Sequence, residues 1–366
     1  MLKKLAESIR EYKLPSILTF IFILCEAVIE CFIPFITAKL VNRIEAGVDM
    51  SVVLRTGLLL FVLALASLCC GGIAGLTCAK ASAGFAKNLR GDIFHKVQTY
   101  SFENIDKFSS ASLVTRLTTD VSNVQLAYMM IIRTAIRAPL MLIFSIVMAY
   151  IMGGALATTF VIIIPILAFG LIMVARKAMP AFTRVFKKYD RLNESIEENV
   201  RAMRVVKGFS REDYEKRKFG AAADDIRRDF THAERIVAIN SPLMQFCVYF
   251  NMIFVLVVGS KLIISSGGSV VGVGEISSML TYGFQVLMQL MMLAMIYVIV
   301  TMSAESAKRI VEVLNEESSL SSPENPVTEV KDGSVDFCDV SFKYSKKAQK
   351  YALADINLHI KSGMTV

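Results

Sequence analysis

The chain has 366 residues, 54% of them hydrophobic, and a mean hydropathy of +0.54, against about 45–50% apolar residues in soluble domains. That surplus excludes an ordinary water-soluble enzyme. The 40 Lys and Arg exceed the 32 Asp and Glu to give a net charge of +8, but they form no single basic patch, which argues against a nucleic-acid partner.

In chain order, residues 1–13 carry Lys3, Lys4, Arg10 and Lys13 and lack the short apolar core and small-residue cleavage site of a removable signal peptide. Leu2, Leu5, Ile9 and Tyr12 share one helical face, which predicts an interfacial helix lying on a membrane. Residues 14–41 form a first apolar stretch, interrupted by Glu26, Glu30 and Lys39 but long enough to cross a bilayer. Uncharged runs follow at 56–79 (24 residues), 138–175 (38), 236–260 (25) and 276–304 (29). All exceed the roughly 18 residues needed for a span. Gly153 and Gly154 supply a turn near the middle of the 38-residue run, which therefore counts twice. Six spans are expected. The seven cysteines lie in or beside them, apart from Cys338, without metal-like spacing, and read as reduced apolar fillers.

Two long polar segments, 80–137 and 176–235, separate the spans and hold 8 and 16 Lys/Arg, whereas the short connections hold only Arg43, Arg55 and Lys261. The positive-inside tendency places both segments, and both termini, in the cytoplasm. Apolar residues recur at helical spacing in each, as Phe85, Leu89, Ile93 and Val97, and as Leu192, Ile196, Val200 and Met203. Helix breakers fall at 104–112 and 208–210. Each segment is thus expected to be a helical hairpin with arms of about 25 residues, or roughly 35–40 Å. Its polar tip either grips a soluble partner or is a solvated turn.

Residues 316–333 are rich in Ser, Pro and Glu, as a linker is. Beyond them Val335 and Phe337, then Leu353, Ile356, Leu358 and Ile360, alternate with polar residues around a Lys-rich turn, predicting a pair of strands. The 33 residues from 334 to 366 fall below the roughly 40 that fold unaided, so they are expected to open a larger domain.

Glu26 and Glu30 lie four residues apart on one face of the first span. Ionisable groups in a span mark functional sites by default. Either they line a cavity that favours cationic cargo, or they pair with Lys39 or a polar group of another span, or they sit near an interface. Span 6 carries Phe284, Met288, Met291, Met292 and Met295 with Gln285 and Gln289, and span 5 adds Gln245 and Asn251. Such a set is either an adaptable apolar binding surface with polar handles or a packing stripe. His95, His232 and His359 have no metal-site spacing, and no nucleophilic triad is seen.

The whole pattern resembles the bacterial type IV ABC exporters. The segment RVVKGFSREDYE at 204–215 is similar to that family's second intracellular loop, and SLVTRLTTDV at 112–121 to the segment after its first coupling helix. The tail VDFCDVSFKYSKKAQKYALADINLHIKSGMTV is similar to the first strands of its nucleotide-binding domain. The resemblance implies an all-α polytopic membrane fold of six long transmembrane helices with two intracellular helical hairpins, plus a short β fragment of an ATPase domain. It implies an elbow helix at 1–13, a transmembrane domain at 14–315, coupling helices near 103–112 and 206–215, a linker at 316–333 and a truncated nucleotide-binding domain at 334–366. Tyr344 stands where the adenine-stacking aromatic would be, and a flat ring suits that task. Asn104, Asp106, Lys107 and Phe108 at the first tip, and Phe209, Arg211 and Glu212 at the second, would dock into ATPase-domain grooves. Spans 5 and 6 would line the substrate path.

The function so implied is a half-transporter of a dimeric, ATP-driven exporter of amphipathic or hydrophobic substrates, using ATP and Mg in the full-length protein. The partners implied are the lipid bilayer, nucleotide-binding domains and a second half-transporter, a heterodimer being favoured over a homodimer. The place implied is a bacterial cell membrane. The phosphate loop G-x-x-x-x-G-K-[ST] is absent from the sequence, so this polypeptide is not expected to hydrolyse ATP alone. Two other classes compete: an ion-coupled secondary transporter with Glu26 and Glu30 as proton relay, and a membrane receptor or scaffold.

Overall fold

The structure is a computed structural model that describes residues 1–268, 271–318, 325–326, 328–330, 332–343 and 349–366. Helix α1 (Leu2–Ala6) leads into a tight 3-10 segment, Glu7–Tyr12, in which Arg10 takes φ 40. The N-terminal segment is therefore two short pieces rather than the single helix that its apolar spacing suggests. Polar anchoring gives the reason. Asn88 Nδ2 donates to the Ser8 carbonyl at 3.1 Å, the Ser8 hydroxyl donates to Asp92 at 2.6 Å, and the Arg10 guanidinium pairs with the same carboxylate.

Long helices follow: α2 (Lys13–Glu45) and α3 (Met50–Gln98), then the short α4 (Phe102–Phe108) and α5 (Ser110–Thr115). A widened turn at Arg116–Asp120 continues α5 into α6 (Val121–Gly153). Gly154, at φ 48, begins the turn into α7 (Thr158–Arg201), as the paired glycines require. Next come α8 (Met203–Gly208), α9 (Glu212–Ala238), α10 (Asn240–Ser266) and α11 (Val273–Asn315). Six of the helical stretches are long and apolar enough to cross a membrane, the number expected. At most a third of each apolar window is buried within the chain, which leaves the remainder as surface for lipid or protein.

Strands β1 (Val335–Phe342) and β2 (Leu353–Ile360) pair antiparallel, with Val335 opposite Ile360 and Phe337 opposite Leu358. The register shifts twice between Phe337 and Phe342. Asp339 and Asp355 have positive φ in that region, and the Asp339 amide donates to Asn357 Oδ1 at 2.8 Å.

The chain divides into two compact units, one of residues 1–12, 82–126 and 303–366, the other of 13–81 and 127–302. The second holds an apolar core where Ala38 of α2, Ala149 and Met152 of α6, Phe160 of α7, Val255 of α10 and Met279 and Tyr282 of α11 meet. Tyr282 is fully buried and donates its hydroxyl to the Cys31 carbonyl at 2.7 Å, satisfying the polar end of an otherwise apolar ring. Two helix crossings there are so close that only glycine fits. A Cβ on Gly283 would stand 2.1 Å from Asn251 Nδ2, and one on Gly274 would stand 2.0 Å from the Ala38 carbonyl.

Candidate functional site

Glu26 and Glu30 sit one turn apart on α2 and share a cation from α6. Arg137 Nη2 lies 2.6 Å from Glu30 Oε2 and 3.4 Å from Glu26 Oε1. All three side chains are largely enclosed, where a charge needs a partner. Gly71 of α3 makes room for the cluster: a Cβ there would come within 3.1 Å of Glu26 Oε1. Lys39 does not take part, since its ammonium lies over the Phe35 ring at 4.2 Å. By sequence Arg137 ends the polar segment 80–137, since it is the first charge before the uncharged run 138–175. The structure instead sets it within α6, beside the first apolar helix. Its Nε is buried and has no hydrogen-bond partner among the described residues.

The residues singled out on spans 5 and 6 divide into two groups. Asn251 is buried against Gly283, with its Oδ1 lacking a donor among the described residues. Gln285 accepts a hydrogen bond from the buried Ser145 hydroxyl of α6 at 3.1 Å. Both therefore serve helix contacts. Phe284, Met288, Met291, Met292 and Met295 form an exposed stripe on α11, Gln289 is half-buried, and Gln245 is exposed on α10. The structure does not gather this stripe and Glu26 into one pocket.

The first polar turn is built by a capping box. The Asn104 amide donates to Ser101 Oγ at 3.4 Å, and the Ser101 amide donates to Asn104 Oδ1 at 3.2 Å. Asn104 Nδ2 then donates to Glu316 Oε1 at 3.1 Å and to the Glu317 carbonyl at 3.0 Å, while Lys107 Nζ reaches Glu316 at 2.8 Å. Phe108 is buried, stacked on Tyr100 with centroids 5.7 Å apart and lying under the Arg116 guanidinium at 4.8 Å. Asn104 and Phe108 are interior, and Lys107 is paired with Glu316, while Asp106 faces outward. The aromatic that does project is Phe102, 85% exposed. Sequence reading missed it, although a Ser-x-x-Asn cap turns the residue after the serine away from the box. The Tyr100 hydroxyl donates to the Val313 carbonyl at 2.7 Å; burial, then the nearby Glu316 carboxylate, pushes its pKa up to about 12. Glu316 is held below the usual carboxylate range, first by its hydrogen bond from Lys107 and also by Asn104.

The second polar turn, between α8 and α9, presents Phe209 at 75% exposure beside the exposed Arg211, with Ser210 at φ 49. Glu212 is half-buried and lines an open groove of about 480 Å³ with Ile196, Val200, Met203, Val206 and Phe219. Asn199 Nδ2 donates to Glu215 Oε2 across this groove at 2.8 Å. Tyr344, the candidate adenine-stacking residue, lies outside the described residues.

Six membrane-length helices with two polar turns and a C-terminal strand pair narrow the comparison. The family pattern described as the ABC transporter transmembrane region matches residues 16–291. The chain belongs to this family. As an ABC transporter transmembrane region, it is a multi-pass membrane protein. Among its relatives is an uncharacterised ABC transporter ATP-binding protein, YfiB, of Bacillus subtilis, 27% identical over 365 residues, covering 100% of this chain and 63% of that protein. An uncharacterised ABC transporter ATP-binding protein of Mycobacterium tuberculosis is 28% identical over 368 residues, covering 100% of this chain and 62% of that protein. A Mycobacterium bovis protein named as a fatty acid ABC transporter ATP-binding/permease protein is 26% identical over 278 residues, covering 76% of this chain and 43% of its own length. The chain thus spans about six-tenths of the length of the first two. The ABC transporter transmembrane region itself carries no G-x-x-x-x-G-K-[ST] sequence. Nucleotide use in this family is recorded in the ATP-binding names of the longer relatives.

Proposed function

We propose that the chain is the transmembrane half of a dimeric, ATP-driven exporter that moves amphipathic or hydrophobic substrates out of the cytoplasm by alternating access. The family match over 16–291 carries this reading. The exposed aromatics at the two polar turns, Phe102 and Phe209, support it, because a ring on a short rigid tip is a good anchor for a second protein surface. On this reading residues 1–13 form the elbow, 14–315 the transmembrane domain, 316–333 the linker and 334–366 part of an ATP-binding domain. The Lys/Arg excess of the long segments supports cytoplasmic termini and turns. A second half-transporter, different from this one on our reading, completes the pathway. ATP and Mg act on nucleotide-binding domains of the kind the relatives' names record, with Tyr344 at the adenine. Nucleotide binding favours one arrangement of the paired halves and so biases the gate.

The exposed apolar stripe from Phe284 to Met295 suits an amphiphile's tail. Two carboxylates sharing one Arg137 favour a cationic head. The experiment is dye uptake into inside-out vesicles containing the protein with its ATP-binding domain and partner. We expect uptake that needs ATP, and a loss of cationic but not neutral dye transport in Glu26→Gln with Glu30→Gln. A fluorescent fatty acid provides the acidic comparison. Uptake driven by a proton gradient without nucleotide would overturn the reading.

A further inference from the structure

Within the unit formed by residues 1–12, 82–126 and 303–366, the polar contacts of the first turn form a ladder along the end of α11. Its rungs join Ser303 to Asn123, where the serine hydroxyl donates to the asparagine carbonyl at 3.1 Å, and Asn123 to Ser306, also at 3.1 Å. Further along, Arg309 chelates Asp120, and Arg116 reaches the Arg309 carbonyl at 2.6 Å and Glu312 at 2.9 Å. Tyr100 binds the Val313 carbonyl, and Asn104 and Lys107 close on Glu316. The residues involved, Ser303, Ser306, Arg309, Glu312 and Val313 of α11 and Glu316 just beyond its end, span about 20 Å at 1.5 Å per residue. Apolar faces of this kind can slide, but directed charge pairs fix a register. Asp120 is fully buried, so a one-turn slip would strand a carboxylate away from water and without its guanidinium.

We propose that this ladder makes the first turn and the last three to four turns of α11 one transmission body, with Asp120, Arg116 and Arg309 as its positioning residues. The inference rests on the exporter reading and adds a route to it. Motion of the C-terminal domain enters the first turn through α11, by way of these pairs, as well as through the exposed ring of Phe102. A displacement at Glu316 is passed to α4 and α6 without lost motion. The rungs are independent of any nucleotide site.

Two measurements on the full-length protein in vesicles test the proposal. Zero-length carbodiimide coupling joins Lys107 to Glu316 using native side chains, and the joined peptide is quantified by mass spectrometry. The yield is expected to be the same without nucleotide and with the ATP-bound state trapped; a yield that drops on ATP binding overturns the proposal. In Asp120→Asn and Arg309→Gln, substrate moved per ATP hydrolysed is expected to fall roughly fivefold or more, the lower end of typical coupling between sites. An unchanged ratio also overturns it. If either variant fails to fold, the cross-link in the unaltered protein still decides. Wild-type vesicles that show no ATP-dependent uptake refute the exporter reading instead, and the cross-link yield then reports on the ladder separately.

Discussion

Replacing Arg137 by glutamine removes the cation that is ion-paired with two carboxylates. Glu26 and Glu30 are four residues apart on α2, so they become like-charge neighbours as well as unpaired ones. Breaking a fully buried pair by removing one partner costs about 3–5 kcal/mol, because a charge is left uncompensated. Here the Arg137 side chain keeps 33% of its exposure and Glu30 29%, so solvent screening reduces the figure to about 1–3 kcal/mol. Glu26→Gln should cost less, since Arg137 keeps its shorter contact with Glu30. The triple change of Glu26, Glu30 and Arg137 to glutamine should lie near the unaltered protein, because no charge is stranded. The assay is thermal unfolding in detergent, followed by intrinsic fluorescence or by exposure of the free cysteines, at one salt concentration for all four proteins. A triple variant as unstable as Arg137→Gln would refute the reasoning, as would an Arg137→Gln protein no less stable than Glu26→Gln.

Gly283→Leu should lower stability by about 1–3 kcal/mol through overpacking, and Asn251→Gly should recover part of that loss in the double variant; recovery is read from melting temperatures. Asn104→Ala removes half of the capping box and both contacts from its amide to residues 316 and 317, and should cost about 1–2 kcal/mol, seen as faster amide exchange over 101–109. Because the Glu316 carboxyl is held below its ordinary value of 4.5, its contacts with Lys107 and Asn104 contribute fully above that value. They are lost as pH falls through 4.5 toward the lower folded value, so protection of the first turn should decline below about pH 4.5 and Glu316→Gln should flatten that decline. Phe209→Ala, at an exposed tip, should leave the unfolding free energy within about 0.5 kcal/mol of the unaltered protein while lowering transport in the vesicle assay.

Much of the fold could be read directly from the order of residues. Uncharged runs give five of the six crossings because a bilayer tolerates few charges, Gly153 and Gly154 dividing the longest run where the backbone turns, and the first crossing is read from an apolar stretch that carries Glu26, Glu30 and Lys39. Gly208 and Ser210 mark the second turn for the same conformational reason. The side-chain geometry was less legible. Arg137 reads as the edge of a polar segment until Glu30, on another helix, is placed beside it. Asn104 and Phe108 read as tip residues that dock into a partner because Glu316, Val313 and Arg116, which enclose them, come from a distant helix end or a later turn. The crowding at Gly71 and Gly283 is a matter of distances between helices, which no local pattern encodes. In the N-terminal segment, apolar spacing suggests one continuous helix and carries no sign that Ser8 and Arg10 are drawn to Asp92.

The shared cation also bears on how the protein is made. Glu30 leaves the ribosome 107 residues ahead of Arg137, and elongation proceeds at about 5–20 residues per second. For several seconds the first hydrophobic segment therefore carries two acids with no base to meet them. The ion pair that joins α2 to α6 can therefore form only after the third apolar segment has been synthesised.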